Sequence, residues 1–328
     1  MKYILGTADF QIQEPTVVTL GKFDGRHRGH QKLMAKMKEI KGRTGWKMAV
    51  FTFSVTPDSM VTGHSQQLLT TNLERRNNME KTGIDYLVEY PFTAETLHME
   101  AEEFIRRILA GQMNARAVVV GTDCSFGYNR SGNAQVLKEL ASKYGYEAWV
   151  IEKEKDESRA RDISSTYIRE ELDKGHVEKA WDLLGEPYAI HGEVVHGRNM
   201  GGRVFGFPTA NILPPPSKRL PLFGVYVSRV RVDDTYYQGV TNIGRKPTVE
   251  GENPAGAETY IFGLDRDLYG KVIEVQLLSF LRKEQAFGSF EELKEQIRRD
   301  KDRAAAYFQE NPQVRLGNVH AWEAQELR

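Results

Sequence analysis

The sequence predicts an α/β domain followed by a mostly β domain: a Rossmann-like parallel sheet, then a small antiparallel barrel or sandwich closed by a terminal helix. Three observations predict it. Strand-like and helix-like patterns alternate up to about residue 173, which implies a parallel sheet covered on both faces. Beyond Gly185-Glu186-Pro187 the chain turns to short β-rich runs divided by Gly, Pro, Asp and Asn, with one long helical pattern near the end. At 328 residues the chain also exceeds the size at which one hydrophobic core usually keeps growing.

In the first part, strands are expected at 16–20, 47–53, 84–88, 116–120 and 147–151, with helices near 29–42, 71–82, 99–111, 132–144 and 164–173. In the helix over 29–42, Leu33, Met34, Met37 and Ile40 share one face. A helix at about 176–184 stops at Gly185 and Pro187, which gives the expected boundary: a first domain over 1–185, a second over 186–310, and a tail over 311–328. The second domain is expected to carry strands at 188–195, 224–232, 235–240, 257–264 and 271–280 and a helix at about 289–308. Pro214-Pro215-Pro216 reads as a stiff surface loop within it, and no internal repeat or low-complexity segment is evident.

Lys plus Arg and Asp plus Glu number 45 each, a balance that argues against a dedicated nucleic-acid or membrane-surface binder. The single cysteine, Cys124, cannot form an intramolecular disulfide. No apolar run approaches the ~20 residues of a membrane helix, and no basic stretch followed by an apolar core opens the chain. The expected location is the cytoplasm. Oligomeric state is not readable.

The most informative stretch is Leu20-Gly21-Lys22-Phe23-Asp24-Gly25-Arg26-His27-Arg28-Gly29-His30, between the strand at 16–20 and the helix that follows. Glycines let backbone approach a ligand closely, the helix start offers N–H groups to an anion, and His27 and His30 can aim donors at phosphate oxygens. The bland reading is a pair of surface or capping histidines. The strand–turn–helix context favours a nucleotide site for nucleotidyl transfer. A second element, Ile163-Ser164-Ser165-Thr166-Tyr167-Ile168-Arg169, opens a helix with three hydroxyl residues and an arginine one turn later. It reads either as an ordinary N-cap or as a phosphate cradle.

Together these motifs resemble the bacterial bifunctional riboflavin kinase/FAD synthetase family. The resemblance extends to Gly121-Thr122-Asp123-Cys124-Ser125-Phe126-Gly127 and, in the second half, to Gly206-Phe207-Pro208-Thr209-Ala210-Asn211 and Gly224-Val225-Tyr226. It continues through Thr241-Asn242-Ile243-Gly244-Arg245-Lys246-Pro247-Thr248, Glu258-Thr259-Tyr260, Tyr269-Gly270-Lys271, Phe280-Leu281-Arg282 and Asp300. It runs in the family's order from about residue 15 to about 308.

The resemblance implies a nucleotidyltransferase domain, a flavokinase-like barrel, and two reactions that use ATP and Mg²⁺: riboflavin to FMN, then FMN to FAD. For the adenylyl step it implies His27 and His30 as catalytic residues. Gly21, Phe23, Asp24, Gly25, Ser164, Ser165, Thr166 and Arg169 would bind ATP and phosphate, and Asp123 and Phe126 would bind flavin. Asp24 has two open readings, Mg²⁺ ligand or cap of the turn. For the kinase step it implies Glu258 as general base, Gly197, Gly206, Pro208, Thr209 and Asn211 around the ATP phosphates, Thr209 and Asn211 as Mg²⁺ ligands, and Arg282 at the flavin. Read alone, Glu258 is an outward strand carboxylate and Pro208-Thr209-Ala210-Asn211 a turn. Arg198, Asn199, Arg203 and glycines 197, 201, 202 and 206 form a basic loop suited to covering phosphates.

The chain departs from the family's usual pattern at Thr56, where a histidine is common, at Cys124, where an aromatic is common, and at Tyr260, where a histidine is frequent. Thr56 keeps a second reading open, a riboflavin kinase whose N-terminal domain is a regulatory binding module. A third class, an aminoacyl-tRNA-synthetase-like enzyme, follows from His-x-Gly-His alone; the zero net charge and the lack of an anticodon-binding region count against it.

Overall fold

The computed structural model describes residues 1–54, 67–196, 209–245, 254–264 and 266–314. The chain divides into two compact units, Met1–Ser165 and Thr166–Arg328. Thr56, Gly197, Gly206, Pro208, the basic loop around 198–203, Lys246-Pro247-Thr248 and the tail beyond 314 lie outside the described residues.

The first unit is built on six parallel strands: β1 (Lys2–Leu5), β2 (Thr16–Leu20), β3 (Lys47–Phe53), β4 (Tyr86–Tyr90), β5 (Ala115–Gly121) and β8 (Glu147–Ile151), in the order β1-β4-β3-β2-β5-β8. A short hairpin, β6 (Ser125–Phe126) with β7 (Gly132–Asn133), lies between β5 and β8 in the chain. Because side chains alternate along a strand, the two faces of the sheet feed two cores. Val17, Met48, Val50, Leu87, Ala117 and Val119 pack with Leu33, Met34, Met37 and Ile40 of helix α1 (Arg28–Thr44) and with Met79 of α2 (Asn72–Lys81). Val18, Ala49, Phe51, Val88, Val118 and Val120 pack on the opposite side with Ile105, Ile108 and Leu109, and with Leu137 of α4 (Ala134–Tyr144).

The helix expected at 99–111 is present as α3, which begins at Ala101–Glu103 and continues with π-type bonding over Phe104–Gln112. Strand β1 was not expected. It is a four-residue edge strand, largely exposed, and exists through its parallel pairing with β4.

The chain order places β3 and β4 to one side of β2 and β5 and β8 to the other, so the topological switch lies between β2 and β5. In open parallel sheets the crevice at the carboxyl ends of such neighbours is where ligands bind.

The second unit is a closed antiparallel barrel, β10-β13-β12-β11-β14-β9, with β9 (Tyr188–Val195), β10 (Thr209–Ile212), β11 (Gly224–Val232), β12 (Thr235–Arg245), β13 (Ala255–Ile261) and β14 (Val272–Lys283). Closure removes exposed strand edges. Four of the five expected strands lie within a few residues of their expected ends, and the fifth, β12, runs on from 240 to Arg245. Residues 209–212, not among the expected strands, form β10, which pairs with β9 on one side and β13 on the other and thereby closes the barrel. Inside, fully buried Ser228, Thr241 and Thr259 satisfy one another through hydroxyl contacts of 2.8 and 2.9 Å. Helix α5 (Ser165–Asp173) opens at the last residue of the first unit and is followed by α6 (Val177–Leu184). The terminal helix α7 (Phe290–Glu310) begins at Ser289, whose hydroxyl caps the Glu292 N–H, and buries Ala304 and Phe308 against Val227 and Leu278.

Candidate active sites

In the first unit, the loops that leave β2, β5 and β8 converge on charged and polar groups at the carboxyl edge of the sheet. After β2, the turn passes through Phe23 and Arg26, both with positive φ (49° and 23°), before His27 becomes the N-cap of α1. The His27 side chain does not cap its own helix. The first-turn N–H groups of α1 are thus left to an incoming anion, with no acidic residue among them to oppose it.

The two imidazoles stack, with ring centroids 3.8 Å apart and planes 19° from parallel. The Nδ1 atoms of both are buried and have no hydrogen-bond partner among the described residues. Burial pushes His27 down to about 4, against the opposing pull of the Asp123 carboxylate. Burial, then the neighbouring His27, holds His30 well below the ordinary imidazole range. Both rings are therefore neutral near pH 7. Gly29 permits the arrangement: a Cβ there would lie 3.1 Å from His27 Nδ1.

Asp24 caps the turn. Its Oδ1 accepts from the Thr70 N–H at 3.0 Å, and Thr70 Oγ1 accepts from the Gly25 N–H at 3.2 Å. The Asp24 carbonyl accepts from Ser165 Oγ at 2.7 Å, which joins the serine-rich segment to the histidine turn. Of the remaining members of that segment, Ser164 immediately precedes Ser165, while Thr166 and Arg169 follow it on α5 and fall in the second unit. Thr70 has no local sequence signal, because its partners are 45 and 46 residues away.

After β5, Asp123 is exposed and pairs with Lys153 at 3.2 Å, on the loop that leaves β8. The next residue, Glu154, holds Arg28 at 3.2 Å and Lys32 at 2.6 Å on α1. Lys153 and Glu154 were not singled out in the sequence, although their position just past a parallel strand is the signal that could have found them. Cys124 is half-buried, and burial pushes its thiol up to about 12, which makes it a poor nucleophile. Phe126 lies in the core, its ring 5.3 Å from that of Phe104 and tight against Gly132.

In the second unit the register of the barrel assembles a second site. Asn211 on β10, Glu258 on β13 and Asn242 on β12 sit directly opposite one another across three neighbouring strands. Directly opposed residues share a face, so these three side chains form one polar row. Thr209 stands two residues along β10 on the same face, and its Oγ1 donates to Glu258 Oε1 at 2.7 Å. Asn211 is 6 % exposed, an unusual burial for an amide. Asn242 donates to Glu284 Oε1 at 3.3 Å. A side-chain oxygen from threonine and one from asparagine beside a carboxylate suit a hard, largely phosphate-held cation such as Mg²⁺. Among the described residues no cluster of three or more His, Cys, Asp or Glu side chains forms a metal cage.

Arg282 is committed elsewhere. Its guanidinium grips Asp300 through Nε at 3.1 and 3.0 Å and Nη2 at 2.7 Å. Asp300 is 2 % exposed and also accepts from Gln296. Tyr260 lies under Lys301, whose Nζ is 4.4 Å from the ring centre.

The comparisons with known proteins match the two halves of the chain to two families. The family described as FAD synthetase matches residues 9–167, and the family described as riboflavin kinase matches residues 184–308. A bifunctional riboflavin kinase/FMN adenylyltransferase of Bacillus subtilis is 35 % identical over 302 residues, 90 % of this chain and 93 % of the relative. The enzyme of the same name from Escherichia coli K12 is 35 % identical over 298 residues, 90 % and 94 % of the two chains. That from Haemophilus influenzae is 32 % identical over 301 residues, 91 % and 96 %. A crystal structure from Streptococcus pneumoniae, described as a macrolide-efflux protein, is similar over 92 % of this chain and 97 % of its own, with 30 % identity and a TM-score of 0.80. Among the described residues no helix is long and apolar enough to cross a membrane.

Proposed function

This chain belongs to the bifunctional riboflavin kinase/FMN adenylyltransferase family, and from that premise we propose which of its residues carry each reaction. The protein phosphorylates riboflavin to FMN and adenylylates FMN to FAD, with ATP as co-substrate of both steps. We assign the adenylyl transfer to residues 1–185, the phosphorylation to 186–310, and no catalytic part to 311–328.

In the adenylyl step, a phosphate oxygen of FMN attacks the α-phosphorus of ATP, and the bond to pyrophosphate breaks. The FMN phosphate is already an anion near neutrality, since a phosphate monoester has its second pKa at about 6, so no base is required. The site must instead bring two anions together and stabilise the charge that leaves. His27, His30 and the first-turn N–H groups of α1 supply the donors. Gly21 and Gly25 let the backbone approach, while Ser164 and Ser165 extend the phosphate cradle. Asp24 holds the turn in shape and is not a metal ligand in this account. Asp123 lies at the flavin side, and Phe126 supports its loop from the core. The observation that carries this reading is the stacked pair of imidazoles, their Nδ1 atoms buried, at the switch point of the sheet.

In the phosphorylation, a ribityl hydroxyl attacks the γ-phosphorus of ATP and gives its proton to Glu258, with ADP as leaving group. Thr209 and Asn211 would hold Mg²⁺, which, when bound, draws charge from the triphosphate. Gly197, Gly206 and Pro208 belong to the same phosphate-binding segment. Arg282 acts by fixing the strand end near the flavin through Asp300. The protein is assigned to the cytoplasm, with small molecules and no nucleic acid as its partners.

Incubating the protein with riboflavin, ATP and Mg²⁺ and separating the flavins by chromatography tests the pairing of reactions. FMN should form first and FAD after it. Accumulation of FMN without FAD, even with FMN as the starting substrate, contradicts the assignment of the first unit.

A further inference from the structure

The turn after β2 carries a ladder of three rings. Phe23 is 1 % exposed, so it is shut away from any ligand. Its ring centroid lies 5.0 Å from that of His30, and His30 lies 3.8 Å from His27. Two glycines stand at the ladder's ends. A Cβ at Gly21 would come within 3.3 Å of the Phe23 ring, and one at Gly29 within 3.1 Å of His27 Nδ1. Phe23 reaches its place with a φ of 49°, a conformation uncommon for a bulky side chain. Such an outlier at the edge of a site is a reason to ask what it does there.

Functional histidines are commonly oriented by a hydrogen bond on the second ring nitrogen. Here the Nδ1 atoms of His27 and His30 have no such partner among the described residues. Ring contact takes the place of that hydrogen bond. Phe23 is fixed from below by the core that contains Val17, Leu33 and Met34. His30 rests on Phe23, and His27 rests on His30.

We infer that Phe23 is a positioning residue for adenylyl transfer, its ring setting the plane of His30 and, through His30, that of His27. The inference rests on the reading of the two histidines as phosphate donors, and it moves Phe23 from the binding surface to the layer beneath. A pocket that merely needs apolar volume would accept an aliphatic side chain at this position. A ladder that orients rings would not.

The test uses the full chain carrying Phe23→Leu, assayed for FMN adenylylation, with riboflavin phosphorylation in the same preparation as the internal control. The expected result is a fall of about 10- to 100-fold in kcat, the scale of losing one preorganised donor or a small misplacement of it. KM for FMN and ATP should stay within about threefold, by the same reasoning that orientation and not binding is lost. Phosphorylation should be unchanged. The imidazole signals of His27 and His30 in the NMR spectrum should move, while that of His98 stays. Added to His30→Ala, Phe23→Leu should cost less than about twofold more, because residues acting as one unit are not additive.

A kcat within about threefold of the unmodified protein, or full multiplication of the two losses in the double variant, overturns the inference. Should Phe23→Leu fail to fold, Phe23→Met fills the volume with a flexible chain and is read by the same criteria. Failure of the underlying reading looks different: His30→Ala alone would leave FAD formation intact.

Discussion

Thr209 Oγ1 donates a hydrogen bond to Glu258 Oε1 at 2.7 Å, and the two residues lie on neighbouring strands of the second unit. The contact joins a phosphate-side hydroxyl to the carboxylate assigned as base. Thr209→Val keeps the β-branched shape and removes the hydroxyl. Riboflavin phosphorylation should fall about 10- to 100-fold, since a hydrogen bond to a charged group contributes about 1.5–3 kcal/mol. The Mg²⁺ concentration needed for half-maximal rate should rise, and Thr209→Ser should restore most of both. Unchanged Mg²⁺ dependence in the valine variant would remove Thr209 from the metal site.

Gly29→Ala places a methyl group 3.1 Å from His27 Nδ1, a contact tight enough that the ring must shift off its stack on His30 to relieve it. The helix itself should gain from the change, because alanine is the better helix former by about 1 kcal/mol. FAD formation should nonetheless fall at least tenfold, on the scale of losing one positioned donor. Steady-state assays of FMN adenylylation check it, and a variant as active as the parent would mean the His27 ring has room to turn.

The two stacked imidazoles make stability depend on pH. Folding holds His27 at about 4 and His30 well below the ordinary imidazole range, whereas unfolded histidines titrate near 6.5. Between those values the unfolded chain binds more protons, so stability rises with pH through the window and is lost as pH falls below about 6.5. For His27 the full effect is roughly 3 kcal/mol. Thermal unfolding of the protein and of a His27→Asn, His30→Gln variant should show the parent losing more stability between pH 6.5 and 4.5, with little pH dependence of the difference above pH 7. Parallel curves would contradict it.

Arg282→Ala leaves the buried Asp300 carboxylate without its bidentate cation. Removing one partner of a buried pair costs about 3–5 kcal/mol. The second unit should lose roughly 5–15 °C in Tm, on the scale of a few degrees per kcal/mol for a domain of this size. Calorimetry of Arg282→Ala and of Asp300→Asn checks it. A loss of riboflavin affinity with Tm unchanged would place Arg282 at the ligand instead.

The parallel sheet and the barrel were legible because their strands carry apolar runs bounded by turn residues. What was not legible depended on partners far along the chain. Residues 209–212 alternate polar and apolar but number only four, and β10 exists because β9 and β13 offer it ladders on both sides. Strand β1 depends on β4 in the same way. The π-type bonding of Phe104–Gln112 leaves an apolar spacing close to that of an ordinary helix.

At the candidate sites, the sequence singles out His27, His30, Thr209, Asn211 and Glu258 but does not say what each touches. The stacking of the imidazoles follows from burial and from the room at Gly29. The capping role of Asp24 follows from Thr70, and the commitment of Arg282 from Asp300, 18 residues further on. Neither of the last two pairings has a local signature.

The central claim is that one chain runs two reactions with separate chemistry at separate sites. The most direct test is a reciprocal pair of variants, Glu258→Gln and His27→Ala, each given riboflavin plus ATP and, separately, FMN plus ATP. Glu258→Gln should lose about 10²- to 10⁴-fold in FMN formation and convert FMN to FAD at nearly the parent rate. His27→Ala should phosphorylate riboflavin normally and lose about 10²-fold or more in FAD formation. Loss of both activities in either variant, or of neither, would contradict the account.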